Sequence, residues 1–255
     1  MRKPSEELAA ARPDGRPSGR ERIIVALDVP SRREALRVAR ALRGRAGMVK
    51  VGAQLFSAAG PAVVRELVRR GERVFLDLKF HDIPHIVGEA CARAAELGVS
   101  LVTVHAAGGP KMLRAARKSL EHHAKRGRRP RLLGVTVLTS LSPAEVKQAG
   151  FPGSVHANVV RLARLAQRSG CDGVVAAPTD VAAIRRACGR KFLVVTPGIR
   201  ATGKRKAEDQ ARVATAAEAV RAGADYVVVG RAVLEASSPS DALEALAEEI
   251  FSALG

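Results

Sequence analysis

The sequence is poor in cysteine and in aromatic residues: its 255 residues include three cysteines, one tyrosine, six phenylalanines and no tryptophan. The cysteines, Cys91, Cys171 and Cys188, form no CxxC pair, which argues against a disulfide framework or a cysteine-bound zinc site. The chain also lacks an apolar run near the ~18 residues that a membrane span requires, and its N-terminus lacks a hydrophobic signal core. We therefore expect a cytoplasmic protein that neither enters a membrane nor is secreted.

Acidic residues are few beside basic ones, with 25 Asp and Glu against 43 Lys and Arg, which gives a net charge of +18. Such a charge can indicate nucleic-acid binding or an anionic substrate. The densest basic segments, 125–131 and 200–206, contain no aromatic residue on which a single-stranded nucleic acid could stack. We therefore favour arginines on solvated helix faces and expect no specific nucleic-acid partner. The alternative predicts steeply salt-dependent binding to any duplex.

Residues 1–21 are rich in proline, arginine and glycine and show no periodicity, which predicts a disordered basic leader. From residue 22 to residue 255 one pattern recurs: an apolar run, a turn, an amphipathic helix, and a glycine before the next run. The predicted strands are 23–29, 48–52, 73–79, 100–105, 131–138, 173–177, 192–196 and 226–230. The predicted helices are 32–43, 61–70, 85–97, 110–126, 143–169 with a break near 151–153, 180–188, 215–222 and 239–254, with capping residues such as Ser31, Asp180 and Ser240.

Eight strand–helix units, strands that are apolar almost throughout, and the lack of a Gly/Ser linker favour one α/β domain over 22–255, a single (β/α)8 TIM barrel. A doubly wound open sheet is the alternative. It is weakened by the count of eight and by the lack of a GxGxxG turn after the first predicted strand.

Charged residues stand at the carboxyl ends of the predicted strands, where such a barrel carries its functional groups. Asp77 and Lys79 alternate with leucines and so share one strand face, toward the barrel mouth. Lys50 ends the second strand and Asp28 follows the first, in the same neighbourhood. Because an isolated buried charge is costly, we expect these groups to pair. A single pair could equally be structural, but several charges from three strands favour a functional site.

Glycine–arginine segments follow the last two predicted strands, at the loops where this fold commonly binds phosphate. Gly198 precedes Arg200, and Gly230 precedes Arg231. Glycine lets backbone N–H groups approach an anion, and arginine can bind a phosphate through two hydrogen bonds. Together the two segments predict a phosphorylated substrate.

The histidines give no convincing metal site. His81 and His85 are four residues apart, but Pro84 between them opposes the helix that would direct both at one ion. His105 ends the fourth predicted strand and is the better pocket candidate, while a structural barrel histidine is equally consistent with the pattern.

Eight segments spread over residues 22–245 form an ordered set of motifs. The most specific is the run 76–84, Leu-Asp-Leu-Lys-Phe-His-Asp-Ile-Pro. The others are 25–28, 49–52, 104–106, 135–140, 196–200, 209–210 and 228–231. Together they resemble the orotidine 5′-phosphate decarboxylase family in its compact bacterial form. The resemblance implies a barrel enzyme that converts orotidine 5′-phosphate to UMP, the last step of pyrimidine nucleotide biosynthesis, with no metal or organic cofactor.

The resemblance also implies catalytic roles for individual residues. A catalytic array of alternating charge would consist of Lys50, Asp77, Lys79 and Asp82. Lys79 would deliver a proton to C6 of the pyrimidine, and Asp82 would reach into the partner's site in a homodimer. Ile83, beside Asp82, is expected to contact the substrate.

Substrate binding, by the same resemblance, would involve both ends of the ligand. Asp28 and Lys50 would hold the ribose hydroxyls, and Thr139 would lie at the base. The 5′-phosphate would be held by Arg200, Gln210, Gly230 and Arg231.

Three departures from the family pattern lie outside the charged array. Ile86 stands where the family commonly has a threonine that reaches a ribose hydroxyl across the dimer, so that contact is lost. The residues 203–206 make their loop longer and more basic, and Ala232-Val233 replace a usual Pro-Ile pair.

Two other functions remain open on this pattern. A magnesium-dependent enzyme of 3-keto-sugar phosphates, a decarboxylase or aldolase, shares the Asp-x-Lys-x-x-Asp spacing. It needs a further acidic ligand, often at the end of the second strand, and 50–54 contains no carboxylate. A requirement for metal would favour it. A phosphate-binding barrel without activity is disfavoured by the intact charged array.

Overall fold

The computed structural model describes residues 19–124, 129–200 and 212–254. Most of the predicted leader, the candidate phosphate ligand Gln210 and most of each basic segment (125–131 and 200–206) lie outside these residues. Gly19–Arg22, which overlaps the end of the predicted leader, forms a 3-10 turn. The buried Arg22 guanidinium donates hydrogen bonds to the carbonyls of Ala224 at 2.8 Å and Asp225 at 3.2 Å. These contacts make the turn part of the folded domain.

Eight parallel strands close into a barrel, which confirms the predicted fold. The barrel strands are β1 (Ile23–Ala26), β2 (Met48–Gly52), β3 (Val74–Phe80), β4 (Leu101–His105), β5 (Arg131–Val135), β6 (Gly173–Val175), β7 (Leu193–Thr196) and β10 (Tyr226–Val229). Two short strands, β8 (Ile199–Arg200) and β9 (Ala214–Thr215), lie outside the barrel sheet. Around the barrel the order is β1-β10-β7-β6-β5-β4-β3-β2, while β8 and β9 pair with each other.

Helices cover the outside of the barrel. They are α1 (Arg32–Ala41), α2 (Ala53–Arg69), α3 (Pro84–Glu96), α4 (Gly109–His122), α5 (Pro143–Gln148), α6 (Val155–Arg168), α7 (Val181–Cys188), α8 (Ala216–Arg221), α9 (Arg231–Leu234) and α10 (Pro239–Leu254). The arginine-rich face of α1 is solvated, since Arg33, Arg37 and Arg40 are exposed. In the part of the chain that the structure describes, no helix has the length and apolar character to cross a membrane.

Alternation along the strands separates a barrel interior from an outer layer. Met48 and Phe75 point inward and belong to the apolar cluster that fills the barrel, while their neighbours in sequence pack against the helices. Side-chain direction in a strand has a period of two. Lys50 and Asp77 therefore follow on the inward face, above the apolar filling and at the carboxyl end of the barrel.

Several element boundaries differ from the predicted ones. The strands in the runs 23–29 and 131–138 end at Ala26 and Val135, and the residues that follow enter loops at the barrel mouth. Helix α2 begins at Ala53, well before the predicted start at 61, and is kinked at Gly60, whose φ of 59° interrupts the helix before Pro61. The predicted break near 151–153 is confirmed, because α5 and α6 are separate helices.

One of the three capping residues caps a helix as predicted. Ser31 caps α1 through its side chain, whereas Ser240 lies inside α10. Asp180 precedes α7 without a side-chain cap bond. Its buried carboxylate instead accepts a hydrogen bond from Arg212 and lies 3.1 Å from Nδ1 of His156. A long-range ion pair has therefore replaced a local cap.

The cysteines lead to a first prediction, because all three are free and buried. Burial raises the pKa of Cys91 and that of Cys171 to about 12, and it raises the pKa of Cys188 as well. Iodoacetamide reacts with the thiolate form of cysteine, and a raised pKa leaves little thiolate at neutral pH. We expect mass spectrometry to find no alkylated cysteine in the native protein at neutral pH and full alkylation after unfolding in urea. Rapid native-state labelling would contradict this packing.

Candidate active site

Four charged side chains meet at the mouth of the barrel, as the sequence predicts. Lys79 Nζ lies 2.9 Å from Asp77 Oδ2, and Lys50 Nζ lies 3.7 Å from the same oxygen. Lys50 Nζ also lies 3.2 Å from Asp28 Oδ1. We call this arrangement of alternating charge, Asp28–Lys50–Asp77–Lys79, the charged row.

The two central members of the charged row are buried, and the two outer members are accessible. The side chains of Lys50 and Asp77 are each 11% exposed, against 36% for Lys79 and 49% for Asp28. Removing charges from water is costly unless opposite charges surround them, and each central member has an opposite charge on both sides. The ammonium and the carboxylate at the two ends are the groups that a ligand can contact.

Two glycines border the charged row. A Cβ on Gly52 would lie 2.9 Å from Lys50 Nζ, so the missing side chain leaves the space that this ammonium occupies. A Cβ on Gly230 would lie 3.8 Å from Asp28 Oδ2. Gly230, a candidate for phosphate binding, therefore borders the Asp28 end of the row.

Lys79 has an unusual backbone conformation. Among the described residues it is the only non-glycine with a positive φ, 51°. The pairing of β3 with β4 also shifts register between Leu76 and Phe80. Bulges and left-handed residues cost energy, redirect side chains and are frequent beside active sites. Regular alternation in the sequence predicts the face of Lys79 but not the irregularity that directs it.

Thr103 of β4 completes the network, although the sequence pattern does not single it out. Its hydroxyl accepts a hydrogen bond from the Lys79 backbone N–H at 2.9 Å and donates one to Asp77 Oδ1 at 3.0 Å. The sequence offers one indication of this role: Thr103 stands two residues before His105, so both side chains lie on the inward face of β4.

Asp82 and Ile83 lie in the loop between β3 and α3, apart from the charged row. Asp82 is exposed, and its carboxylate accepts a hydrogen bond from the Ile83 N–H at 2.6 Å. Ile83 and Ile86 are exposed apolar residues, at 62% and 47%. No ion pair joins Asp82 to the charged row within the described ranges. A single chain therefore brings together Lys50, Asp77 and Lys79 but not the fourth predicted catalytic residue, Asp82.

The other predicted substrate contacts are distributed around the same end of the barrel. Arg200 lies in β8 after strand β7, and Arg231 begins α9 after strand β10. The turn from β7 to β8 needs a left-handed residue, which Gly198 supplies with a φ of 84°. Thr139 is half-buried in the loop after β5. Gln210 lies outside the described residues.

His105 ends β4 beside the charged row and packs against His81, with ring centroids 5.2 Å apart. Burial lowers the pKa of His105, and positive charge at His81 and at Lys79 lowers it further, against an opposing effect of Asp77. His105 is therefore predominantly neutral at pH 7. A neutral ring here adds no further positive charge next to Lys79.

Comparison with known proteins identifies relatives that match this chain over nearly their whole length. The sequence matches the family described as "Orotidine 5'-phosphate decarboxylase / HUMPS family" over residues 21–246. Orotidine 5′-phosphate decarboxylase of Trichlorobacter lovleyi is 46% identical over 235 residues, which cover 92% of this chain and 97% of that protein. The enzyme of the same name from Heliobacterium modesticaldum is 48% identical over 238 residues, covering 92% and 98%.

Solved structures agree with the architecture. The crystal structure of orotidine 5′-phosphate decarboxylase from Lactobacillus acidophilus has a TM-score of 0.80 and 36% identity, covering 89% of this chain and 98% of that chain. An uncharacterized conserved protein from Geobacillus kaustophilus has a TM-score of 0.78 and 38% identity, covering 89% and 99%.

The environment of His105 predicts part of the pH dependence of stability. Because the pKa of His105 is lowered in the folded state, the unfolded chain binds a proton at this side chain more readily. The stabilising contribution is complete above the unfolded-state pKa of about 6.5 and is lost progressively as the pH falls. We expect His105→Gln to weaken the fall in unfolding free energy between about pH 7 and pH 5, measured by urea denaturation.

His122, an exposed histidine near the end of α4, provides the matched control. His122→Gln should keep the wild-type pH dependence. If the unfolding free energy fell equally with pH in the wild type and in His105→Gln, burial of His105 would not contribute to the pH dependence of stability.

Proposed function

The chain belongs to the orotidine 5′-phosphate decarboxylase / HUMPS family, and from that premise we propose that it converts orotidine 5′-phosphate to UMP and CO₂ without a metal or organic cofactor. The charged row is the observation that supports this activity best. It holds an accessible ammonium, that of Lys79, 2.9 Å from a buried carboxylate at the mouth of the barrel. This reaction is the last step in making the pyrimidine nucleotide, and we place it in the cytoplasm, where the free cysteines stay reduced.

The substrate binds along the charged row in this proposal. Asp28 and Lys50 hold the ribose hydroxyls, and Gly230 and Arg231 bind the 5′-phosphate next to the Asp28 end. The proximity of Gly230 to Asp28 Oδ2 supports this order, because ribose and 5′-phosphate are adjacent in the nucleotide. The pyrimidine then extends toward Lys79.

The remaining proposed contacts lie at the two ends of this path. Arg200 and Gln210 add to the phosphate site, and Thr139 lies at the base. Binding energy from the phosphate, remote from the reacting carbon, holds the base in place.

The chemical step requires a cation where negative charge develops. Cleavage of the C6–carboxylate bond releases CO₂ and leaves the electron pair on C6, where no ring position can delocalise it. The Lys79 ammonium stabilises this carbanion and transfers a proton from Nζ to C6, which gives UMP. The partly exposed amine then takes a proton from water. Asp77 stabilises the ammonium beforehand through their 2.9 Å contact.

Lys50 also bears on the magnesium-dependent alternative within the same family. Its ammonium lies between two carboxylates, 3.2 Å from Asp28 and 3.7 Å from Asp77. The Lys50 ammonium therefore already occupies the place where the oxygens of Asp28 and Asp77 converge. This arrangement favours the decarboxylase over an enzyme that needs a divalent ion.

Asp82 acts across a homodimer in this proposal. Ile83 in its exposed loop and Ile86 at the start of α3 are exposed apolar residues, and their burial against a second subunit is favourable. The partner copy of Asp82 then completes the charged row, with Ile83 lining the same site. Ile86 adds apolar area to this surface in place of a hydroxyl.

Activity is tested by following the absorbance of orotidine 5′-phosphate with purified protein in the presence of EDTA. We expect turnover that EDTA does not affect, and a loss on the order of a thousandfold or more in Lys79→Ala, which removes the cation. Lys118→Ala, at an exposed position on α4, is the matched control and should keep wild-type activity. Turnover that requires magnesium would favour the alternative, and a folded protein without turnover would overturn the proposed activity.

The role of Asp82 is tested by subunit complementation. Lys79→Ala and Asp82→Asn are each expected to be nearly inactive, and mixing them after reversible unfolding forms heterodimers with one intact site. Random pairing then restores about a quarter of the wild-type sites. If both residues acted within one subunit, mixing would restore no activity.

A further inference from the structure

Thr103 is a buried polar residue on the inward face of β4, next to the charged row but not part of it. Its relative exposure is 0%, and its hydroxyl has two partners. The Lys79 backbone N–H donates to it at 2.9 Å, and the hydroxyl donates to Asp77 Oδ1 at 3.0 Å. Because the backbone N–H can only donate and the carboxylate can only accept, the hydroxyl hydrogen is directed at Asp77.

The two carboxylate oxygens of Asp77 thereby have separate partners. Oδ1 accepts from Thr103, and Oδ2 faces Lys79 at 2.9 Å and Lys50 at 3.7 Å. The hydrogen bond to Oδ1 fixes rotation of the carboxylate, which otherwise has a broad torsional preference. Loss of that bond would let Oδ2 turn away from the lysines and would leave Oδ1 buried without a partner.

The hydrogen bond from the Lys79 backbone N–H to the Thr103 hydroxyl acts on the second proposed catalytic residue, Lys79 itself. Lys79 has a φ of 51°, and the β3–β4 register shifts around it, so regular ladder pairing does not hold this residue. The Thr103 hydroxyl takes the Lys79 N–H in its place. A single side chain on β4 therefore constrains the carboxylate of Asp77 and the strained backbone of Lys79 together.

We propose that Thr103 is a positioning residue: it orients Asp77 toward Lys79 and holds Lys79 in its left-handed conformation, so that the ammonium is directed at the reacting carbon. It touches no reacting atom in this role. The inference rests on the proposed function, since the decarboxylation is what makes the direction of Lys79 matter.

The kinetic test uses Thr103→Val, which keeps the shape and removes the hydroxyl. We expect kcat for orotidine 5′-phosphate to fall roughly tenfold to a hundredfold, as for loss of a hydrogen bond to a charged group. KM should change by less than about threefold, because phosphate and ribose contacts lie elsewhere. Thr103→Ser restores the hydroxyl and should recover most of the lost kcat. If Thr103→Val does not fold, Thr103→Ala serves in the same assays.

Thr136→Val is the matched control. Thr136 is also buried, and its hydroxyl donates a 3.0 Å hydrogen bond to the Val175 carbonyl, away from the charged row. Thr136→Val should lower the free energy of unfolding without a comparable loss of kcat. The proposal is overturned if Thr103→Val keeps wild-type kcat, if Thr103→Ser is as impaired as Thr103→Val, or if Thr136→Val shows the same loss.

A crystal structure of Thr103→Val separates this inference from the proposed function, because it requires no turnover. We expect the Asp77 carboxylate to rotate and Lys79 to leave the positive-φ region. An unchanged Asp77–Lys79 pair would overturn the positioning role even if the enzyme is active. A wild type without turnover would instead overturn the function and leave the geometric result to decide the role of Thr103.

Discussion

A carboxylate buried at the end of a barrel strand needs positive charge and hydrogen-bond donors next to it. The arrangement of the charged row depends on how Asp77 obtains these partners. One oxygen is shared by two ammonium groups and the other accepts a hydrogen bond from Thr103. Removing any one partner would leave a charged group in a poorly hydrated place, which is more costly than the loss of the contact itself. The positions of Lys50, Lys79 and Thr103 are therefore coupled through one side chain. The barrel makes this coupling rigid, because each of the four residues belongs to one of three adjacent strands with an apolar filling beneath them.

The same rigidity explains how the fold tolerates strain at Lys79. A residue with a φ of 51° in a strand persists only where its surroundings determine its conformation. On one side β2 pairs with β3 in regular register as far as Asp77, and on the other side the Thr103 hydroxyl accepts the Lys79 N–H where the ladder to β4 shifts. The irregular pairing thus begins after Phe75 and Leu76, which pair in register with both neighbouring strands. A loop could carry a lysine to the same place, but it would not hold the direction of the side chain as closely.

The sequence predicted the barrel and the meeting of Asp28, Lys50, Asp77 and Lys79 because both follow from local periodicity. A period of two assigns the face of each strand residue, and the carboxyl ends of parallel strands share one edge. Periodicity within a strand does not determine the register between strands. The register shift at Lys79 and its hydrogen bond to Thr103 therefore cannot be predicted from it. Asp180 shows the same limit, since its place before a helix predicted a cap and a distant arginine, Arg212, made the contact instead. For Asp82, local periodicity predicts neither the role nor the subunit on which it acts, because its proposed partners belong to a second chain; both expectations come from the family resemblance.

The charge balance of the site bears on how an anionic nucleotide would bind there. Two ammonium groups and two carboxylates cancel within the charged row, so the row itself offers no net attraction to a phosphate or a carboxylate. In the proposed function, attraction comes from Arg200, Arg231 and the field of a chain with a net charge of +18, which raises the local concentration of anions over distances of about a Debye length. The row would then act through the positions of its charges. In the proposed mechanism Asp77 opposes the negative charge of a bound carboxylate, and Lys79 favours the negative charge that appears on carbon when CO₂ departs, so a neutral arrangement can still bind the transition state more tightly than the substrate.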